Sequence, residues 1–295
     1  MPAARGTPPA SGTTHSALAW KLCVSIDSRP RAFRPLREVA LGTSTRLLGP
    51  TKGGWTAAKG SLSRWKPDAG SRPDSLTEND RRTAEDVATR FRRALRDALL
   101  DDPRRFGLRD AAQEGGARLI TVLDDLRRPD PPMLRHLDAT ASISPQDEFV
   151  RRFVDEVGGD GRLIVDAATR RAARRVAERL IVPGDPLANT SGRVTGELFC
   201  ALYRLFFGEL VGEFVHILIA ENVKLAVPPL VLLDPTDAVA GFVADQVVKV
   251  LPDPCAAATE RQTSRTSLAD VARDLLVETV TEALGVSDTG VELVA

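Results

Sequence analysis

The stretch Gly192–Asn222, which contains ELFCALYRLFFGELVGEFVHILIAEN, limits what this chain can fold into more than any other part of it. It has no internal breaker, so it reads as one long helix, apolar on almost every side. A helix of that kind has to be enclosed by others. Only a narrow stripe is polar: Glu209, Glu213 and His216 fall within about 60° of one another on a helical wheel. The chain is therefore expected to wrap amphipathic helices around a central apolar one.

Caps and stops divide the rest into such helices. Asn79 is expected to cap a helix reaching Leu100, with Ala84, Val87, Ala88, Phe91, Leu95, Ala98 and Leu99 on one face. A second helix runs over Ala117–Arg127 and stops before Pro129. Ser144-Pro145 is an N-cap and N1 pair opening PQDEFVRRFVDEV, which ends at Gly158-Gly159. Over Leu163–Val182, Val165, Ala172, Ala173, Val176 and Leu180 share one face and Arg170, Arg171, Arg174, Arg175 and Arg179 the other. Asp234-Pro235 opens a helix that Pro252 stops. Ser267 and Asp270 open the last, which Gly285 ends. No segment alternates with the period of a strand. The expected fold is all-α: an irregular bundle of about six or seven helices forming a single domain over 76–285, with a short tail at 286–295.

Residues 1–75 have a different character. They are rich in Gly, Pro, Ser and Thr, and hold twelve Lys or Arg against four acids, a charge of +8 in a chain whose formal net charge is zero. They are expected to be disordered, apart from a short helix at Leu36–Leu48, or to reflect a start codon placed too far upstream. Only six of the forty basic residues are lysine. That bias points to a high-GC, bacterial genome rather than to an arginine-specific function. Cys23, Cys200 and Cys255 are far apart and form no metal-ligand spacing, so a reducing cytoplasm is expected.

Four features invite a functional reading. Glu213-x-x-His216, with Glu209 one turn earlier, is the pairing that presents metal ligands in di-iron carboxylate bundles. Such a bundle needs a second copy, and neither His15 nor His136 has a Glu three residues before it. Gly208 and Gly212 have the spacing that lets helices approach closely, within one core or across a dimer. Residues 198–233 could associate with a membrane, but Glu209 and Glu213, at about 2.5–3.5 kcal/mol each, offset most of what the apolar side chains gain in a bilayer. Asp124-Asp125-x-x-x-x-Asp130 resembles the first aspartate-rich motif of prenyl-diphosphate synthases, which would imply magnesium. A second such motif is missing, and prolines flank Asp130.

Further signals point away from activity. Val280–Val294 has the cadence of a helix-turn-helix, but Asp288 and Glu292 stand where a DNA reader needs basic or amide groups. No P-loop and no nucleophile elbow occurs. The arginine face at Arg170, Arg171, Arg174, Arg175 and Arg179 is the candidate interaction surface. The function expected is a cytoplasmic, non-enzymatic protein-interaction or regulatory module without a cofactor, its partner another protein rather than nucleic acid. A membrane-associating or pore-forming protein and an all-α metal-dependent enzyme are the alternatives.

Overall fold

A computed structural model describes residues 49–50, 53–68, 75–135, 144–159, 161, 163–181, 194–223, 233–261 and 266–287. Among these the chain forms ten α-helices, two single-turn 3-10 segments and no strand. The helices are α1 (Gly53–Arg64), α2 (Glu78–Asp101), α3 (Leu108–Asp125), α4 (Pro145–Gly158), α5 (Ile164–Leu180), α6 (Gly196–Asn222), α7 (Pro235–Val250), α8 (Pro254–Arg261), α9 (Leu268–Asp274) and α10 (Leu276–Leu284). The expected all-α bundle is present. It has more helices than expected because α1 and α8 are additional and the last helix breaks at Leu275 into α9 and α10. The anticipated helix at Leu36–Leu48 lies outside the described residues.

α6 is the axis. Fifteen of its 27 residues are buried, and it touches α2, α3, α5, α7, α8 and α10. Phe199, Phe206, Phe207 and Phe214 are fully enclosed, each contributing about 1.5–3 kcal/mol of apolar burial. Tyr203 is equally buried, and its hydroxyl bonds Thr279 Oγ1 of α10 at 2.8 Å. Burial pushes the Tyr203 phenol up to about 12. α4 packs on the outside of α5 and α3, and α1 on the outside of α2.

Gly208 and Gly212 are part of this core. A Cβ on Gly208 would sit 2.5 Å from Val248 Cγ2 and 2.9 Å from the Ala244 carbonyl; one on Gly212 would sit 2.7 Å from the Ala240 carbonyl. The pair exists so that α6 and α7 can approach backbone to backbone. Of the two uses their spacing allows, within one core or across a dimer, the first is the one seen here: both glycines face α7. The end of α7 is closed by two guanidinium groups, Arg204 Nη2 on the Val248 carbonyl at 2.6 Å and Arg92 Nη1 on the Gln246 carbonyl at 3.4 Å. Cations favour that end of a helix.

The 1–75 boundary is also corrected. α1 lies inside the segment expected to be disordered, with Trp55, Ala58 and Leu62 buried and the Trp55 ring edge-on to Phe91 at 5.0 Å. Its chain is pinned by Asp80, a fully buried carboxylate in the first turn of α2. Asp80 accepts from Trp65 Nε1 at 2.9 Å, the Asp68 amide at 3.1 Å and the Thr77 hydroxyl at 2.9 Å. Thr77, not Asn79, is the N-cap of α2: its side chain accepts the Asp80 amide. The caps at Ser144, Asp234 and Ser267 and the left-handed Gly285 end are where the sequence placed them.

The cysteine reading needs a correction as well. Cys200 on α6 and Cys255 on α8 form a disulfide, with Cα atoms 6.0 Å apart across 55 residues of sequence. Wide spacing along the chain said nothing of distance in space. Cys23 lies outside the described residues.

Candidate functional site

The polar stripe of α6 is only partly buried. It lies between α5 and α7, which pack on either side of it, and their flanks supply the walls of a charged seam. From α5 come Arg171, Arg175 and Glu178, from α6 Glu209, Glu213 and His216, and from α7 Asp237 and Asp245.

Two of the three stripe residues have partners. Arg171 Nη1 reaches Glu213 Oε2 at 3.4 Å, joining α5 to α6, and the Glu213 side chain is only 16% exposed. His216 Nδ1 lies 3.0 Å from Asp237 Oδ1, joining α6 to α7. Asp237 sits in the first turn of α7 and so also faces that helix's N-terminus, where a carboxylate is favoured. The hydrogen bond to Asp237 holds the His216 imidazolium above its ordinary value of 6.5, and the same bond holds Asp237 below 3.8.

The signs of the two shifts set the pH window. The raised histidine contributes stability that is complete below its ordinary value and lost as pH rises through the shifted one. The lowered aspartate contributes stability present above its ordinary value and lost as pH falls through the shifted one. The pair is therefore strongest between about 4 and 6.5. Asp237→Asn is expected to bring the His216 titration, followed by NMR, back down toward 6.5; an unchanged midpoint would refute the pairing.

Glu209 differs from its neighbours. Its carboxylate is half-buried and makes no hydrogen bond or ion pair among the described residues. Burial raises its pKa, Arg175 opposes that, and the like charges of Glu213, Asp245 and Glu178 reinforce it. A carboxyl group whose folded value is raised destabilises the fold once ionised, so stability falls as pH rises above 4.5 toward the shifted value. Glu209→Gln is accordingly expected to raise Tm at pH 7 and leave it unchanged near pH 4, as thermal unfolding would show.

The metal candidates Glu209, Glu213 and His216 do not converge on a common point. The one group of three His, Cys or acidic ligand atoms within 4.8 Å of one another, among the described residues, is Cys200, Asp253 and Cys255. The aspartate-rich motif is taken up by ion pairs: Arg127 and Arg128 with Asp124, Arg128 with Asp125, and Arg135 with Asp130 at 2.6 Å. The arginine face is largely internal in its bonding. Arg170 reaches Asp155 and the Gly159 carbonyl, Arg171 reaches Glu213, and Arg174 and Arg175 reach Glu178. Arg179 stands one turn beyond them on α5.

Sequence reasoning found the stripe but missed Asp237 and Arg171 as its partners. Pairing across helices depends on packing, so the sequence marks Arg171 only as one of five arginines and does not single out Asp237. A second concavity, of about 470 Å³, lies between α2 and α7 and is lined by Arg81, Glu85, Thr89, Phe242, Asp245 and Lys249. No helix among the described residues is long and apolar enough to cross a membrane. No protein-family model matches the chain, and neither a curated protein nor a solved structure matches it.

Proposed function

We propose that the chain is a non-enzymatic protein-interaction module, and that the seam between α5 and α7 receives a basic segment of a partner protein. The observation that carries this is Glu209. A half-buried carboxylate with no hydrogen-bond or ion-pair partner among the described residues works against the stability of the free chain, and it sits among the charged groups of α5 and α7. Groups that lower stability without a structural return are the mark of a binding surface. A partner's guanidinium or ammonium group would supply the missing counter-charge, with Glu213, Glu178, Asp237 and Asp245 adding to the attraction. The same acids disfavour nucleic acid at this place, and the α5 arginines are engaged within the chain. A cytoplasmic site of action fits this reading only where the Cys200–Cys255 bond is transient, since lasting disulfides are rare there.

The test is cross-linking from a photoreactive residue substituted for Glu178, followed by affinity measurement on whatever is captured. The expected result is a partner whose cross-linked segment is rich in Lys or Arg, and whose affinity falls at least about tenfold with Glu209→Gln, as for loss of a desolvated charge pair. Arg273→Ala, which removes an exposed pair with Asp270 on α9, is expected to leave the affinity unchanged. Binding that ignores Glu209→Gln would remove the seam from consideration.

A further inference from the structure

α8 has eight residues and buries only Pro254. A helix of two turns has no stability of its own in water, and one buried proline is too little to dock it. Two cross-links hold it instead. At its C-terminal end Arg261 Nη1 reaches Asp274 Oδ2 of α9 at 2.7 Å, an exposed pair whose attraction is largely offset by solvent screening and lost side-chain freedom. At its N-terminal end Cys255 is bonded to Cys200 of α6. The covalent link therefore carries most of the docking.

The two cysteines differ in exposure. Cys200 is buried in the core, at 4% exposure, whereas Cys255 is half-buried at the surface. Asp253 fixes the position of Cys255 by accepting its amide at 2.8 Å. Cys255 Sγ also lies 3.2 Å from the Gly196 carbonyl, so the first turn of α8 covers the first turn of α6.

We propose that Cys200–Cys255 is a thiol–disulfide exchange site whose opening releases α8 from the N-terminal end of α6. The co-reactant is a dithiol. One of its thiolates attacks Cys255 Sγ, the S–S bond breaks, and the electron pair leaves with Cys200 Sγ, which takes up a proton. The second thiolate of the dithiol then attacks the mixed disulfide. Cys255 departs as a thiolate and is protonated, and the reagent leaves as a disulfide. Two electrons and two protons have passed to the protein. With only the Arg261–Asp274 pair and the slight burial around Pro254 remaining, α8 frays and the Gly196–Cys200 face of α6 is uncovered. The rest of α6 stays enclosed by α5 and α7. The released surface lies more than two helical turns from Glu209, so this device is independent of the seam.

Two measurements on the full chain test the proposal, with dithiothreitol as the dithiol. Intact mass after iodoacetamide labelling under denaturing conditions is expected to show one adduct, on Cys23, for protein purified without reductant. Three adducts are expected after treatment of the folded protein with dithiothreitol. Hydrogen exchange of the α8 amides is expected to rise at least about tenfold on reduction, with that of residues 206–219 unchanged. Cys255→Ser, a change at a half-exposed position, is expected to show the fast α8 exchange with or without reductant. Three adducts before reduction, a zinc ion held by both thiols and Asp253, or α8 exchange that reduction leaves unaltered would each overturn it.

Discussion

Gly212→Val is expected to destabilise the protein by about 3 kcal/mol, the upper part of the range for forcing extra atoms into a filled core. The obstacle is main chain, not a side chain that can swing away. The Ala240 carbonyl stands 2.7 Å from where the first added carbon would go, with Ala244 Cβ at 3.1 Å. Removing a glycine from a helix interior gains less than about 1 kcal/mol of propensity, so the clash wins. Gly241 provides the control. A Cβ there meets nothing within 4 Å, and Gly241→Ala is expected to stabilise by about 0.5–1 kcal/mol. Urea unfolding measures both. A Gly212→Val protein of undiminished stability but altered solution mass would restore the reading of these glycines as an oligomer contact.

Asp80→Ala should have the second largest effect, and a different character. Removing the carboxylate leaves the Trp65 indole N–H and the Asp68 amide without their acceptor, whereas the Thr77 hydroxyl keeps Asp68 Oδ2 at 3.0 Å, and a buried group so orphaned costs about 1–3 kcal/mol. The losses do not simply add, because residues 65–68 can move out to water once released. We expect about 2–4 kcal/mol against the docking of α1, expressed as its detachment from α2 while the α6 core persists. Tryptophan emission reports this directly: Trp55 of α1, packed on Phe91 of α2, is 4% exposed, and its emission should shift to the red on detachment. An unshifted spectrum in folded Asp80→Ala would show that Trp55 packing on Phe91 holds α1 by itself.

The contrast between these two sites explains how much the sequence disclosed. Wherever order is set by neighbours in sequence, it could be read. Ser144-Pro145, Asp234-Pro235 and Ser267 with Asp270 are caps whose hydrogen bonds close within three residues, and the apolar span of α6 announces its own burial. Thr77 was within reach too. It stands three residues before Asp80, the spacing of a capping box, and was passed over for Asn79. α1 was not within reach, because Gly53, Gly54 and Gly60 hide it and its stability comes from α2 and Asp80. α8, with one buried residue, gives no periodic signal at all.

The candidate site divides in the same way. Glu209, Glu213 and His216 were found together because one helix places them together. Arg171 and Asp237 were not joined to them, because those contacts exist only once α5 and α7 lie against α6. The same limit hid the Cys200–Cys255 bond, whose partners are 55 residues apart.

The position of α6 also bears on how the chain is made. α2, α3 and α5 are synthesised before α6 and α7, the helices that close much of their inner apolar faces. At about 5–20 residues per second, the interval between completing Leu180 and completing Asn222 is about 2–8 s, during which those faces have no core to close on. The early helices can pair with one another, α1 on α2 and α4 on α5, yet such pairs remain open on their inner sides. The core can thus close only once α6 and α7 have been made, and until then the nascent chain presents apolar surface that needs shielding at the ribosome.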